Sequence, residues 1–450
     1  MPDAIEALDA GLLVIGAGMA GMTAAARAAR GGVRALVVER GAGIGGSAVL
    51  SGGGLWTAAD YDTFRRVNPL GDPEQARTLI DRYLEVGAWI ESLGTLISDL
   101  APADELMGFP SRGRNFDVPD YIRRCRSEVQ GAGGHVVTES DTEALLVTDG
   151  RVRGARIRDL ASGTLMEVHA PWTLLATGGF QGDPALRAQY LGPHGGALLL
   201  RANPNSAGAG LRLGQAAGAA TSEHMTGWYG HTVPCPLAQP MQVADYLRFA
   251  QFHLSPRAIL LDRDGRRFVD ESRGYYRNAQ AVARLETARA LVLFDSALRE
   301  ADTAAFGVDR FEVAGAAGAH TARAGTWGEI GAIVAAWGYR GAGEAAETFN
   351  AQMRGAAQAL QPGRELHRRP HDRAPFHAIE VQPAITFTHG GLRIDAQARV
   401  LDGNGRPIPG LLAAGADAGG TYHEAYAGGL AMAGGFGLQA AATVLADPGA

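Results

Sequence analysis

The sequence predicts an α/β protein in which one parallel-sheet domain is split in two by an inserted α+β region. Three observations carry this reading: glycine is concentrated directly behind short apolar runs, the first 40 residues follow a strand–turn–helix–strand order, and the middle of the chain has a different composition. Of 450 residues 63 are Gly, about twice the ordinary share of roughly 7%. With only 21 Pro and no G-X-Y period, neither low-complexity disorder nor collagen explains the excess. Hydrophobic residues at 46% and charged residues at 20% describe a globular chain, long enough for two or three filled cores.

The elements follow in order. Leu12–Ile15 is wholly apolar, as expected of a parallel strand buried on both faces. Gly16-Ala17-Gly18-Met19-Ala20-Gly21 comes next, then an Ala-rich helical stretch to Arg30 and a second apolar run, Ala35–Val38, ending at Glu39. This context turns GxGxxG into a dinucleotide-binding, Rossmann-like signature. Gly16 serves the tight turn, Gly18 lets backbone approach a pyrophosphate, and Gly21 allows close helix–strand packing. The phosphates then meet free N–H groups at a helix N-terminus, and Glu39 is placed for ribose hydroxyls.

Glycine clusters again at Gly41–Gly54, at Ala176–Phe180 behind the apolar run Trp172–Leu175, and in two strings near the C-terminus, PGLLAAGADAGG and AYAGGLAMAGGFG. Each site reads as backbone passing close to a ligand. The stretch from Thr226 to His377 is richer in Arg, His and aromatic residues and reads as mixed α/β, with helical segments such as Ala281–Thr287 and Ala342–Leu360. Gly428–Ala446 is uncharged over 19 residues, but its glycines, Gln439, Thr443 and lack of Lys or Arg anchors predict a buried helix rather than a membrane span.

Charge and cysteine content exclude several function classes. Lys plus Arg is 41 and Asp plus Glu 47, a net charge of −6 with no basic stripe, so nucleic acid is not an expected partner. Cys125 and Cys235 make no metal-binding spacing, so no metal is expected and a reducing, cytoplasmic setting is the default. The acidic N-terminus does not read as a signal peptide.

VIGAGMAG…VVERG, GGSAVLSGGGLW, ATGGFQGDP, LDRDGRRFVDES and the block from ITFTHGGLRID to YAGGLAMAGGFG together resemble the flavoprotein superfamily of soluble fumarate reductases, tricarballylate dehydrogenases and 3-ketosteroid dehydrogenases. The likeness covers nearly the whole chain. It implies an FAD-binding domain from about 1–225 and 380–450, with a capping, substrate-binding domain at about 226–379. Gly16, Gly18, Ala20, Gly21, Glu39 and Arg40 would hold adenosine and pyrophosphate. Gly45, Gly46, Ser47, Gly52 and Gly53 would follow the pyrophosphate, ribityl chain and ring, with Ala144, Thr177 and Gly178 completing the contacts. Asp417 stands where relatives carry Glu, facing the ribityl hydroxyls, and Gly428, Gly429 and Leu430 would lie beside the pyrimidine end. Some relatives attach flavin through a His in the N-terminal glycine cluster; this chain has none before His135, so non-covalent FAD is implied. GAGLRLG at Gly208–Gly214 lacks a preceding buried strand, so no NAD site is expected and the electron partner is external or is the substrate itself.

Hydride exchange with flavin N5 needs a group that moves a proton at the neighbouring carbon, and donors that polarise a carbonyl or carboxylate. By the resemblance, the catalytic Arg of fumarate reductases falls on Tyr275 and a carboxylate-gripping Arg on Tyr426. One substrate His falls on Phe387, with His389 two residues on, and another falls near His231. Ketosteroid dehydrogenases carry Tyr at the first two positions. Loss of the arginines removes most of a dicarboxylate grip, which favours an enone-type or monoacid small-molecule substrate, whereas ITFTHGGLRID resembles the tricarballylate branch. Arg257, Arg273 and Arg277 are the available anion contacts. Trp228 and Tyr229 read equally as pocket lining or core. The expected function is hydride exchange across a C–C or C=C bond beside a carbonyl or carboxyl group; the alternatives are an O₂-using flavin oxidase and an electron-transfer subunit without its own small substrate.

Overall fold

The computed structural model describes residues 6–103, 108–251, 254–355 and 359–447. Its central six-stranded sheet has the order Arg399–Leu401, Pro407–Ala413, Trp172–Leu175, Leu12–Ile15, Ala35–Val38, His135–Val137. Every pairing is parallel except the edge pair 399–401 with 407–413. Leu12–Ile15 lies in the middle and is buried along its whole length, which is why it reads as continuous Leu-Leu-Val-Ile. The helix Met19–Arg30 covers one face and packs on the C-terminal helix Gly429–Leu445. Alanine and glycine on both helices let their axes approach closely.

A four-stranded sheet, in the order 6–9, 165–169, 151–159, 140–148, and a three-stranded one formed by 54–58, 111–115 and 101–102 flank this core. The remaining sheet is organised by one long strand, Phe376–Thr388, which pairs with Leu199–Leu200, Trp228–Pro234, Ala290–Asp295 and Thr321–Ala324. Ala290–Asp295 is buried on both faces: Leu291 and Leu293 point into one apolar cluster with Trp327 and Ile330, and Val292 and Phe294 into another with Leu298 and Ile379. This sheet therefore draws strands from Leu199 to Thr388, beyond both ends of the 226–379 segment.

The helix expected at 281–287 forms at Tyr275–Ala283, starting earlier because Gly274 admits the turn before it. The one expected at 342–360 forms at Ala342–Met353, and residues 356–358 of that stretch lie outside the described residues. Among the described residues no helix is long and apolar enough to cross a membrane, and no cluster of His, Cys, Asp and Glu could hold a metal. Cys125 and Cys235 are both buried and unbridged.

Candidate active site

A cavity of about 620 Å³ runs between the central sheet and the sheet built on Phe376–Thr388. At one end its wall is backbone. Gly16, with φ +106°, makes the turn out of the first strand, and a Cβ there would lie 2.3 Å from the carbonyl oxygen of Ala176. Gly18 precedes the helix Met19–Arg30 and faces open space. Its neighbour Ala17 accepts a 2.8 Å hydrogen bond from the Gly45 N–H, which brings the second glycine cluster against the first. The buried Glu39 carboxylate accepts from the N–H of Ala17 at 3.0 Å and of Gly41 at 2.8 Å, one bond per oxygen, and keeps further lone pairs for a ligand hydroxyl.

Glu39, Arg40, Gly46, Ser47, Gly52, Thr177, Gly178, Gly429 and Leu430 line this cavity together with Gly16, Gly18 and Ala20. Glycine-lined backbone, an open helix N-terminus and a carboxylate suited to ribose at the end of the next strand are the features a dinucleotide needs, so the residues present fit FAD. Gly21, Gly45, Gly53 and Gly428 support this wall from behind rather than line it; at Gly428, φ +96°, an added Cβ would fall 1.7 Å from the Trp56 carbonyl oxygen.

The other end is made of side chains. Trp56, Tyr229, Tyr275, Phe387, Tyr426, Arg201 and Arg310 all reach the cavity. The Tyr229 and Tyr275 hydroxyls are 3.1 Å apart, and the rings of Tyr229 and Tyr426 stack with centroids 3.7 Å apart. The Gly429 N–H donates to the Tyr426 oxygen at 2.8 Å. A register shift after Tyr229, where it opposes Phe387 but Gly230 opposes Ile385, turns Tyr229 toward the cavity. Tyr275 opens its helix, held in place by the preceding RFVDES string. The fully buried Glu271 carboxylate there bonds Arg267 at 2.5 Å and Arg364 at 3.1 Å, and the Asn278 side chain donates to the Glu271 carbonyl at 3.1 Å. Burial is the main cause that raises Tyr275, Tyr229 and Tyr426 above the ordinary phenol range, and the phenols' proximity adds to it at Tyr275 and Tyr426.

Several sequence-predicted residues stand elsewhere. Asp417 is buried, but its carboxylate accepts from the Thr177 N–H and hydroxyl and from the Gly179 N–H at 3.0 Å; it fixes the ATGG turn instead of facing the cavity. Ala144 sits opposite Arg156 on its strand, and Ser140, Asp141 and Thr142 form the nearby wall. His231 lies behind Tyr275, its ring stacked on the phenol at 4.8 Å and 3°, and burial together with Arg201 and Arg310 drives it well below the ordinary value, so it is neutral. His389 donates from Nδ1 to the His423 carbonyl at 3.2 Å, and burial pushes it down to about 4. Neither His lines the cavity. Arg257, Arg273 and Arg277 do not reach it either; Arg273 pairs on the surface with Glu365 at 2.8 Å. Sequence reasoning missed several lining side chains, Trp56, Arg310 and Arg201 among them, and Arg201 is the lining arginine without a carboxylate partner among the described residues. Its available signal was a charge that ends the apolar run Leu198–Leu200.

A family model described as an FAD binding domain matches residues 11–430. The chain belongs to that family. It is an FAD-dependent oxidoreductase. It is 25% identical to the NADH:fumarate oxidoreductase of Klebsiella pneumoniae (strain 342), over 94% of this chain but 46% of that protein, so it spans about half that relative's length. It is also 25% identical to the 4-oxocyclohexanecarboxylate 2-dehydrogenase of Sinomonas cyclohexanicum, over 93% of this chain and 89% of that one. Among solved structures, the 3-ketosteroid-Δ4-(5α)-dehydrogenase of Rhodococcus jostii RHA1 superposes with a TM-score of 0.79 at 21% identity, covering 99% of both chains. The split α/β fold read from the sequence is thus the family's.

Proposed function

We propose that this enzyme adds or removes hydrogen across a carbon–carbon bond adjacent to the carbonyl of a small molecule, with Tyr275 moving the proton. The carrying observation is the hydroxyl pair Tyr229–Tyr275 at 3.1 Å in the cavity wall, beside the stacked Tyr426. FAD, when bound, supplies a two-electron acceptor or donor that exchanges hydride with a substrate carbon. The residues proposed to hold it are those lining the glycine end: Gly16, Gly18, Ala20, Glu39, Arg40, Gly46, Ser47, Gly52, Thr177, Gly178, Gly429 and Leu430. No His or Cys is among the described residues lining the cavity, which supports non-covalent binding. Electrons come from, or go to, an external partner.

Tyr275 takes or gives the proton at the carbon beside the carbonyl, and Tyr229 holds the Tyr275 oxygen in place and shares its hydrogen-bond charge. Tyr426 accepts the Gly429 N–H, so its own proton is directed outward as a donor to a substrate oxygen, the role an oxyanion-stabilising group plays. Trp56 and Phe387 shield these hydroxyls from water. Tyrosine at both positions where fumarate-type enzymes use arginine supports a ketone over a dicarboxylate, and the ring ketone in the name of the Sinomonas relative is in line with it.

Tyr275→Phe tests the reading. With a cyclic ketone as donor and dichlorophenolindophenol as acceptor, turnover should fall by a factor on the order of 10²–10⁴, while flavin content stays as in the wild type. Full turnover by the variant sinks the proton role. Rapid reoxidation of the reduced protein by O₂ alone would favour an oxidase instead.

A further inference from the structure

Four arginines line the cavity: Arg40, Arg201, Arg248 and Arg310. Three have a carboxylate. Arg310 bonds Asp302 at 2.8 Å, Arg40 approaches Asp141 at 3.7 Å, and Arg248 approaches Asp245 at 3.8 Å. Arg201 is different. It is 6% exposed, yet no described carboxylate lies within 4.0 Å of it. Its Nε donates to the Tyr246 carbonyl at 2.7 Å and its Nη1 to the Thr386 hydroxyl at 3.0 Å, and the guanidinium rests over the Tyr246 ring at 5.6 Å. Five N–H donors minus these two leaves three without a hydrogen bond among the described residues.

A buried guanidinium held only by neutral acceptors is costly unless an anion completes it. Two anions are candidates: the pyrophosphate of the cofactor and an acid group on the substrate. The pyrophosphate belongs at the glycine end, where Gly16, Gly18 and the helix Met19–Arg30 offer N–H groups. Arg201 instead shares the cavity lining with Tyr229, Tyr275 and Tyr426, and after burial the groups that act on its guanidinium are the phenols of Tyr229, Tyr275, Tyr246 and Tyr426. Its position is rigid, since its own N–H donates to the Ile385 carbonyl at 2.8 Å on the long strand that also carries Thr386 and Phe387. The planar fork is therefore fixed beside the tyrosines, in the form best suited to two carboxylate oxygens.

We infer that Arg201 anchors a carboxylate of the substrate, so the molecule oxidised or reduced at the tyrosines is an oxo acid rather than a plain ketone. This rests on the proposed carbonyl chemistry of the same site. It divides recognition between two groups: hydroxyls address the carbonyl, and one guanidinium addresses the acid.

The test is a binding titration on the FAD-loaded enzyme with two probes of equal shape, 4-hydroxybenzoate and 4-hydroxybenzamide, followed by the visible absorbance of the flavin. Wild type should bind the acid more tightly by a factor on the order of 10–100. Arg201→Gln should bring the two probes to parity by weakening the acid alone, with flavin content unchanged, and Arg201→Lys should retain part of the preference. Equal affinity of wild type for both probes, or equal weakening of both by Arg201→Gln, overturns the assignment. Loss of flavin from Arg201→Gln and Arg201→Lys alike, without an acid preference in wild type, would give Arg201 to the cofactor. The wild-type comparison needs no variant, so a misfolded substitution does not protect the idea. Turnover of cyclohexanone and of 4-oxocyclohexanecarboxylate, measured alongside, separates the two claims. Turnover of the neutral ketone with no acid preference overturns Arg201 only; an acid preference with no turnover of either ketone overturns the carbonyl chemistry only.

Discussion

At the glycine end of the cavity the wall is backbone, and at the tyrosine end it is side chains. The first is made by short segments, each local in sequence: a turn after a strand, a loop, a helix start. The second collects Arg201, Tyr229, Tyr275 and Tyr426 from four separate stretches of chain, and the first two meet because Leu199–Leu200 and Trp228–Pro234 both pair with the strand Phe376–Thr388. Backbone contacts ask for space and free N–H groups, which many chains can supply to the same dinucleotide. Side-chain contacts ask for particular chemistry, which only particular residues at these positions supply.

The contrast can be broken most severely at Gly16. Gly16→Val would force a Cβ to 2.3 Å from the Ala176 carbonyl oxygen at φ +106°, a conformation that β-branched residues avoid. The purified variant is expected to carry no flavin, read from the ratio of visible to 280 nm absorbance; full flavin occupancy would show that the glycine end tolerates side chains after all.

A graded effect is expected from pH. Burial, with Tyr229, Tyr426 and Tyr276 close by, raises Tyr275 well above 10, and the stacked His231 is held neutral. The phenol is thus protonated at neutral pH. In the dehydrogenating direction Tyr275 must act as base, so kcat/KM should climb by about tenfold per pH unit over roughly pH 6–9; in the reducing direction it acts as acid and the profile should be flat there. A flat dehydrogenation profile would remove the phenol from the proton path.

The smallest change comes from Tyr229→Phe, which deletes one partner of the 3.1 Å hydroxyl pair but keeps the ring stacked on Tyr426. A loss of about 0.5–1.5 kcal/mol in transition-state stabilisation is expected, roughly a two- to tenfold fall in turnover. If Tyr229→Phe instead matches Tyr275→Phe, the two phenols act as one unit and Tyr229 shares the proton step.

The same division explains what the sequence makes legible. Leu12–Ile15, Met19–Arg30, Ala35–Val38 and Trp172–Leu175 appear at the residues their patterns mark, because each is set by apolar runs and glycine punctuation within a few positions. Tyr275 and Tyr426 could be singled out only through motif likeness, and Tyr229 stayed ambiguous between pocket and core. Arg201 escaped notice because nothing local shows that an arginine lacks a carboxylate; that emerges only when distant strands meet. Asp417 misled for a related reason: a carboxylate beside the flavin glycines was expected to face ligand, and its turn-fixing partners, Thr177 and Gly179, are 240 and 238 residues away.

The strand Pro407–Ala413 and the helix Gly429–Leu445 complete a sheet and a helix pair begun within the first 40 residues. During synthesis these early strands and this helix therefore emerge long before their last partners and must wait, with apolar faces uncovered, until residues 407–445 have left the ribosome. The cofactor pocket, whose signature lies at residues 16–21, is finished only when segments about 400 residues later arrive, and a chain cut short before about residue 430 would carry the fingerprint without the fold.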